Sequence, residues 1–181
     1  LLPADFPRGV PSVYELAGRV QRDAGHHCYT NGMLCLFAPG ERWRYWPEGA
    51  GLVEFLRGPV QAFFVGHAIF EITGAWPFGE RSHGARGVFE AYADLLGSTD
   101  IRTVVRYLAA LARPELGAHH ACPCGSGRSL SRCHLREVVG LRSKVRWKEA
   151  RQALVSVFFD HPTLSRASAM KRLRRGVERG G

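Results

Sequence analysis

A short cysteine-rich segment lies in the C-terminal half of this chain. It reads Cys122-Pro123-Cys124-Gly125-Ser126-Gly127-Arg128-Ser129-Leu130-Ser131-Arg132-Cys133-His134. Two thiols lie two positions apart, and after eight further residues a thiol and an imidazole follow in succession. Three Cys and one His complete the tetrahedral shell of a zinc ion. The spacing therefore predicts one structural zinc ion bound by Cys122, Cys124, Cys133 and His134, with no open position for a substrate.

The same segment resembles the SEC-C motif, a zinc-binding tail found on the bacterial translocation ATPase and on many other bacterial proteins. The ligand spacing and the Cys-Gly-Ser-Gly core of residues 124–127 carry the resemblance. The family usually has lysines after the glycines, whereas Arg128, Ser129 and Ser131 stand here. Because so short a loop has little core of its own, we expect metal binding to supply its folding energy.

The cysteine content indicates a reducing compartment. The chain has five cysteines, an odd number, and three of them lie within residues 122–133. A secreted disulfide framework usually has an even number spread along the chain. The sequence also lacks a basic-then-apolar secretory pattern and an apolar run of membrane-spanning length. We therefore expect a cytoplasmic protein.

Positive charge is concentrated at the C-terminal end. The net charge is +9, and residues 136–181 hold twelve Lys/Arg against four Asp/Glu. A basic arm of this kind attracts phosphate, acidic protein surfaces or anionic lipid heads, and nucleic acid is one such partner. The alternative is a solvated tail that keeps the protein in solution.

Apolar periodicity predicts several helices. Apolar residues recur every three or four positions over residues 51–73, although Gly58-Pro59 should kink or restart that helix. Two more helices are predicted at 85–96 and 100–112, the first ended by Gly97. A further helix is expected from 137 to about 159, where two apolar sets are out of phase and indicate two partners or a break.

The N-terminal part of the sequence predicts a short strand and turns in place of helices. Residues 10–16 predict a strand, with Pro11 favouring an edge or a strand start. The turn signal Asn31-Gly32 precedes a short apolar run that ends at Pro39-Gly40. Cys35 therefore lies between two turns, in a segment too short for a long helix.

The order of these pieces resembles the ubiquitin-conjugating enzyme fold. In that family a Phe-x-Pro-Pro-x-Val strand precedes a Gly-x-Ile-Cys-Leu active-site segment, and a Trp follows eight residues after the Cys. The matching residues here are Phe6-Pro7, Pro11 to Tyr14, Gly32 to Leu36 and Trp43. The resemblance covers about residues 5–97 and implies that Cys35 is the nucleophile.

The match is closer to the bacterial branch associated with type II CBASS antiphage operons. That branch has a His-x-Tyr-x-x-Gly-x-Leu-Cys-Leu pattern, which residues 27–36 reproduce, and a Thr-Gly-x-Trp segment, which residues 73–76 reproduce. The resemblance implies a role in antiphage defence, with a cyclic-oligonucleotide synthase as one candidate for the acylated protein.

The implied chemistry is acyl transfer through sulfur. A thiolate at Cys35 would accept a partner's C-terminus as a thioester and pass it to a target amine. His27 stands where eukaryotic relatives place an Asn, and an imidazole can donate a hydrogen bond to an oxyanion or handle a proton. Asn31 is an alternative for the Asn role, and the alternative for Cys35 itself is a small core residue.

Together these features predict an α+β protein. A ubiquitin-conjugating-like domain with a small antiparallel sheet is expected at 1–97, a helical linker at 98–117, the zinc module at 118–137, and a basic helix with a flexible tail at 138–181. The expected fold normally opens with a helix and two strands, so we expect an incomplete N-terminus. The terminal Gly180-Gly181 is either an acyl donor or a flexible end. The rival hypothesis is a non-catalytic adaptor that binds a protein, ribosomal or nucleic-acid surface.

Overall fold

A computed structural model describes residues 1–38, 40–77 and 79–160 of the chain. The chain divides into two compact units, Leu1–Arg81 and a second that begins at Ser82. The predicted domain limits at 97, 117 and 137 stay predictions. The predicted flexible tail from His161 and the terminal Gly180-Gly181 lie outside the described residues. Within the described part, no helix is both long and apolar enough to cross a membrane.

The first unit is built on one long helical stretch. After a short helix α1 (Arg42–Tyr45), helix α2 (Leu52–Phe55), a π-helical turn (Leu56–Val60) and helix α3 (Gln61–Thr73) follow one another without a gap. Pro59 lies inside the π-helical turn, where the N–H of Gln61 donates to the carbonyl of Leu56, five residues back. A proline in a regular α-helix has no N–H to donate and clashes with the preceding turn. The wider π turn carries the helix through Pro59 in place of the predicted restart.

The predicted α+β fold is wrong, because the described residues form no sheet. Residues 10–16 make a single antiparallel bridge, Tyr14 to Met33, and Cys28 makes another with Leu34. The extended segment ends at once because the buried carboxylate of Glu15 accepts hydrogen bonds from the N–H groups of Ala17 and Gly18, both at 2.8 Å. Local capping and frequent turns thus take the hydrogen bonds that a ladder would need.

A small core holds this irregular segment on α3. Val20, Cys28, Leu34 and Phe63 are its buried members, and the half-buried Trp76 packs against them. The indole N–H of Trp76 donates to the carbonyl of Gly25 at 2.9 Å. Trp76 therefore connects the segment after α3 to the irregular N-terminal segment.

In its described part, up to residue 160, the second unit contains four α-helices. They are α4 (Gly84–Leu96), α5 (Ile101–Leu111), α6 (Leu135–Lys144) and α7 (Trp147–Asp160). Gly97 ends α4 with a left-handed φ of 61°, and the Asp100 side chain caps α5. The predicted helices at 85–96 and 100–112 are confirmed. The stretch expected from 137 to 159 forms two helices, which agrees with its out-of-phase apolar sets.

The core of the second unit lies between these helices. Helix α7 packs against α4 and α5, and α5 also packs against α6. Their buried side chains include Val88, Tyr92, Val104, Leu108, Leu111, Val138, Leu141, Val145, Ala153 and Val157. The cysteine-rich segment occupies the connection between α5 and α6, so the helices fix both of its ends.

Candidate metal centre

The four predicted ligands come together in space. The Sγ of Cys122 lies 3.3 Å from Nδ1 of His134, and the Sγ of Cys133 lies 3.1 Å from the same nitrogen. The sulfurs of Cys124 and Cys133 are 3.6 Å apart. All four ligand atoms lie within 4.8 Å of one another.

These separations fit a tetrahedral zinc ion. With Zn–S and Zn–N bonds of about 2.3 and 2.0 Å, neighbouring ligand atoms should be about 3.5 to 3.8 Å apart. The cluster approaches that spacing, and its ligands are soft thiolates and an imidazole, which zinc prefers over oxygen donors. The arrangement suits one zinc ion with a closed shell.

Backbone hydrogen bonds shape the loop around the ligands. The N–H of Cys122 donates to the carbonyl of Arg128 at 2.8 Å, and Ala121 and Ser129 form a bridge. Gly125 turns the chain with a φ of 84°. The side chain of Leu130 is fully buried and anchors the loop in the core. The ligands therefore approach one another through the fold of the loop itself.

The electrostatic surroundings favour thiolate at the exposed end of the cluster. The Ser126 hydroxyl, 3.2 Å from the Sγ of Cys124, is the main cause that lowers the pKa of Cys124 to about 6. Burial raises the pKa of Cys122. A guanidinium N–H of Arg128 donates to the Sγ of Cys133 at 3.5 Å. Deprotonated sulfur is the form that binds metal, and the lowered pKa of Cys124 favours that form near neutral pH.

A second set of residues surrounds the ligands. The Nε2 of His134 lies 3.8 Å from Oε2 of Glu137, whose Oε1 accepts a hydrogen bond from the Tyr107 hydroxyl at 3.1 Å. Arg106 reaches the loop from α5 as well. Sequence reasoning missed all three. Glu137 had a local signal, because it follows His134 by three positions at the start of a predicted helix, whereas Tyr107 and Arg106 had none.

Cys35 lies in the first unit, in a setting that disfavours a thiolate. Its side chain is half-buried, and its Sγ lies 3.9 Å from the carbonyl oxygen of Phe37. Burial raises the pKa of the Cys35 thiol, although a hydrogen bond from the Tyr29 side chain opposes that effect. A thiol with a raised pKa is mostly protonated near neutral pH and is a weak nucleophile.

His27 is adjacent to Cys35 through the backbone. Its carbonyl accepts a hydrogen bond from the N–H of Cys35 at 2.8 Å, and its φ of 49° is the positive value that non-glycine residues rarely adopt. The imidazole packs edge-on against Trp76, and its Nε2 lies 3.6 Å from Oε1 of Glu80. The catalytic assignment of Cys35 and His27 stays a prediction.

Comparisons with known proteins bear on the metal loop alone. No curated protein and no solved structure matches the chain. Nothing in the comparisons supports the resemblance to the ubiquitin-conjugating family or to its CBASS branch. Residues 121–136, which include all four candidate ligands, match the SEC-C motif.

Proposed function

We propose that this chain is a zinc-stabilised binding protein in which the metal holds a recognition loop and takes no part in catalysis. The observation that carries the proposal is the convergence of three sulfurs and one ring nitrogen in a loop that matches the SEC-C motif. A metal-binding cluster of this composition supports a structural role, because four protein ligands leave no coordination position for a substrate.

The ion would supply a cross-link that the loop cannot make from its own side chains. Residues 121–134 bury few apolar groups, chiefly Leu130, Cys122 and Pro123. Zinc binding contributes to the folding free energy of such small modules directly. Cys122, Cys124, Cys133 and His134 would hold the ion, and the five cysteines, all free of disulfides, suit a reducing compartment such as the cytoplasm.

The recognition surface we propose is basic. Arg128, Arg132 and Arg136 are all exposed on or next to the metal loop. Exposed guanidinium groups bind carboxylates and phosphates through paired hydrogen bonds. We therefore favour an acidic protein surface as the partner, with a nucleic-acid surface as the alternative that the salt dependence of binding distinguishes.

Metal content tests the structural part of the proposal. Protein purified without chelator should contain one zinc per chain, and Cys124→Ser and Cys133→Ser should each lower that content and the melting temperature. Cys35→Ser is the matched control, since it removes a thiol outside the loop. Equal zinc content in all four proteins would contradict the assignment of these ligands.

Binding under varied salt tests the partner. Replacing Arg132 and Arg136 together with Gln should weaken binding to an acidic protein partner while the zinc content is unchanged. Nucleic-acid binding would instead show affinity that falls steeply and log-linearly with salt concentration.

The thioester role of Cys35 and His27, together with the antiphage setting, stays a separate prediction. The ubiquitin-conjugating fold, which the described residues do not form, does not support it. Its remaining support is the partial exposure of Cys35 and the proximity of the two backbones. Trapping in cells tests it: Cys35→Ser should convert a labile thioester adduct into a stable ester. The absence of any adduct with either protein would leave the adaptor function alone.

A further inference from the structure

We propose that Glu137 and Tyr107 form a positioning pair that orients His134 so that its Nδ1, and not its Nε2, faces the metal. The inference rests on the proposed zinc binding and concerns residues outside the four ligands.

The first half of the argument is the position of Glu137 on the ring. His134 is the residue before α6, and Glu137 lies in the first turn of that helix, three positions later. Nδ1 of His134 faces the sulfurs of Cys122 and Cys133, and Nε2 faces Oε2 of Glu137 at 3.8 Å. A carboxylate shift of about 1 Å brings this pair within hydrogen-bond distance. The two ring nitrogens thus have different neighbours, one metal-binding and one acidic.

The second half is the anchor supplied by Tyr107. The Glu137 side chain is about half exposed, at 48%, so water competes for its carboxylate. Tyr107 on α5 is buried, and its hydroxyl donates to Oε1 of Glu137 at 3.1 Å, which leaves Oε2 directed at His134. Burial of Tyr107, followed by the charge of Glu137, raises the pKa of that phenol, so it remains a donor.

With that shift, the pair would have the arrangement that metal-ligating histidines commonly use. Their second ring N–H donates to a carboxylate, which fixes the tautomer and makes the ligating nitrogen more basic. Loss of such an outer partner typically weakens metal affinity about 10- to 100-fold. Helix α5, through Tyr107, and helix α6, through Glu137, would thereby both orient His134.

Zinc affinity, measured on the full chain by competition with a chromophoric chelator, tests the pair. Glu137→Ala should weaken the zinc Kd about 10-fold or more, and Glu137→Gln, which keeps an acceptor oxygen, should restore part of that loss. Tyr107→Phe should weaken it less. Because Tyr107 acts through Glu137, Tyr107→Phe should have no further effect in the Glu137→Ala background. Glu115→Gln, an exposed carboxylate in the loop after α5, is the matched control.

A second measurement reports orientation directly. In the zinc-loaded protein, long-range nitrogen–proton correlation spectra of His134 should show Nδ1 bound to metal and Nε2 protonated, and the Nε2–H signal should shift in Glu137→Ala but not in Glu115→Gln. Zinc affinity within twofold of wild type for Glu137→Ala, with an unchanged His134 spectrum, would overturn the positioning role and leave the zinc site intact. Failure of the wild-type protein to bind zinc would overturn the proposed function as well.

Discussion

The Nε of Arg106 on α5 donates a hydrogen bond to the carbonyl oxygen of Pro123, 2.9 Å away, between the first two metal ligands. The same guanidinium donates to the Thr103 hydroxyl at 3.0 Å, so it is held on its own helix while it binds the loop. The metal loop is thus attached to the helices by a contact that involves no ligand side chain.

Loss of this contact should destabilise the loop. Arg106→Gln should lower the free energy of unfolding of the zinc-loaded protein by about 1 kcal/mol, because a hydrogen bond from a charged donor is lost and a backbone carbonyl is left with water alone. Chemical denaturation in the presence of zinc measures the change. Arg102→Gln, an exposed arginine on the same helix, should change it far less, and equal effects would argue against a specific role for Arg106.

A side chain at Gly125 should destabilise the metal loop. An added Cβ would lie 3.2 Å from the Arg106 guanidinium carbon, and its φ of +84° is strained for any other residue. Gly125→Ala should cost more than the about 1–2 kcal/mol of left-handed strain alone. Gly127→Ala, with a φ of +75° and open space around its Cβ, isolates the strain. The difference between the two variants should shrink when Arg106 is also replaced; a difference that persists would mean that Arg106 is not the obstacle.

The cap of α5 should make stability depend on pH. Asp100 accepts hydrogen bonds from the N–H groups of Arg102 and Thr103 and from the Thr103 hydroxyl, the last being the main cause that lowers its pKa. A carboxyl with a depressed pKa in the folded state contributes stability above its unfolded pKa, and that stability is lost as the pH falls through the folded value.

Asp100→Asn should therefore lower the melting temperature at pH 7 while keeping part of the cap, and Asp100→Ala should lower it more, by about 2–8 °C. Melting curves from pH 7 down to pH 3 check the sign. The gap between wild type and Asp100→Ala should close below about pH 4, and a gap that is constant with pH would exclude the charged cap.

Cys35 should react slowly with thiol reagents at neutral pH. Because burial raises the pKa of Cys35, little thiolate is present at pH 7. The alkylation rate should therefore level off at a higher pH than the rate of an ordinary thiol does. Alkylation of the zinc-loaded protein, followed by peptide mass spectrometry, measures the rate at Cys35 separately from that at the fully buried Cys28. Rapid modification at pH 7 that levels off below pH 8 would contradict this and would revive the nucleophile hypothesis.

Local features were predictable from the sequence and long-range ones were not. The metal ligands lie within thirteen residues, so their spacing alone indicated the cluster. Helices α4 and α5 were evident from periodicity, and the end of α4 from Gly97. Tyr107 joins the site across thirty positions through a packing contact that no local pattern encodes.

The failure of the α+β prediction has a physical reason as well. The strand predicted at residues 10–16 and the small sheet implied by the family resemblance do not form, because a strand needs a partner that continues the ladder. Glu15 and Gly32 turn the chain after two or three extended residues, so only isolated bridges form. At Pro59 the predicted break was replaced by a wider helical turn, because the helix has apolar packing on both sides of the proline to preserve.

His134 is at once the last metal ligand and the residue before α6. A zinc ion with three thiolates and a neutral imidazole carries one net negative charge, which would sit at the positive end of the α6 dipole. A bound ion would therefore join the start of α6 to residues 122–133, and its loss should loosen the first turn of that helix.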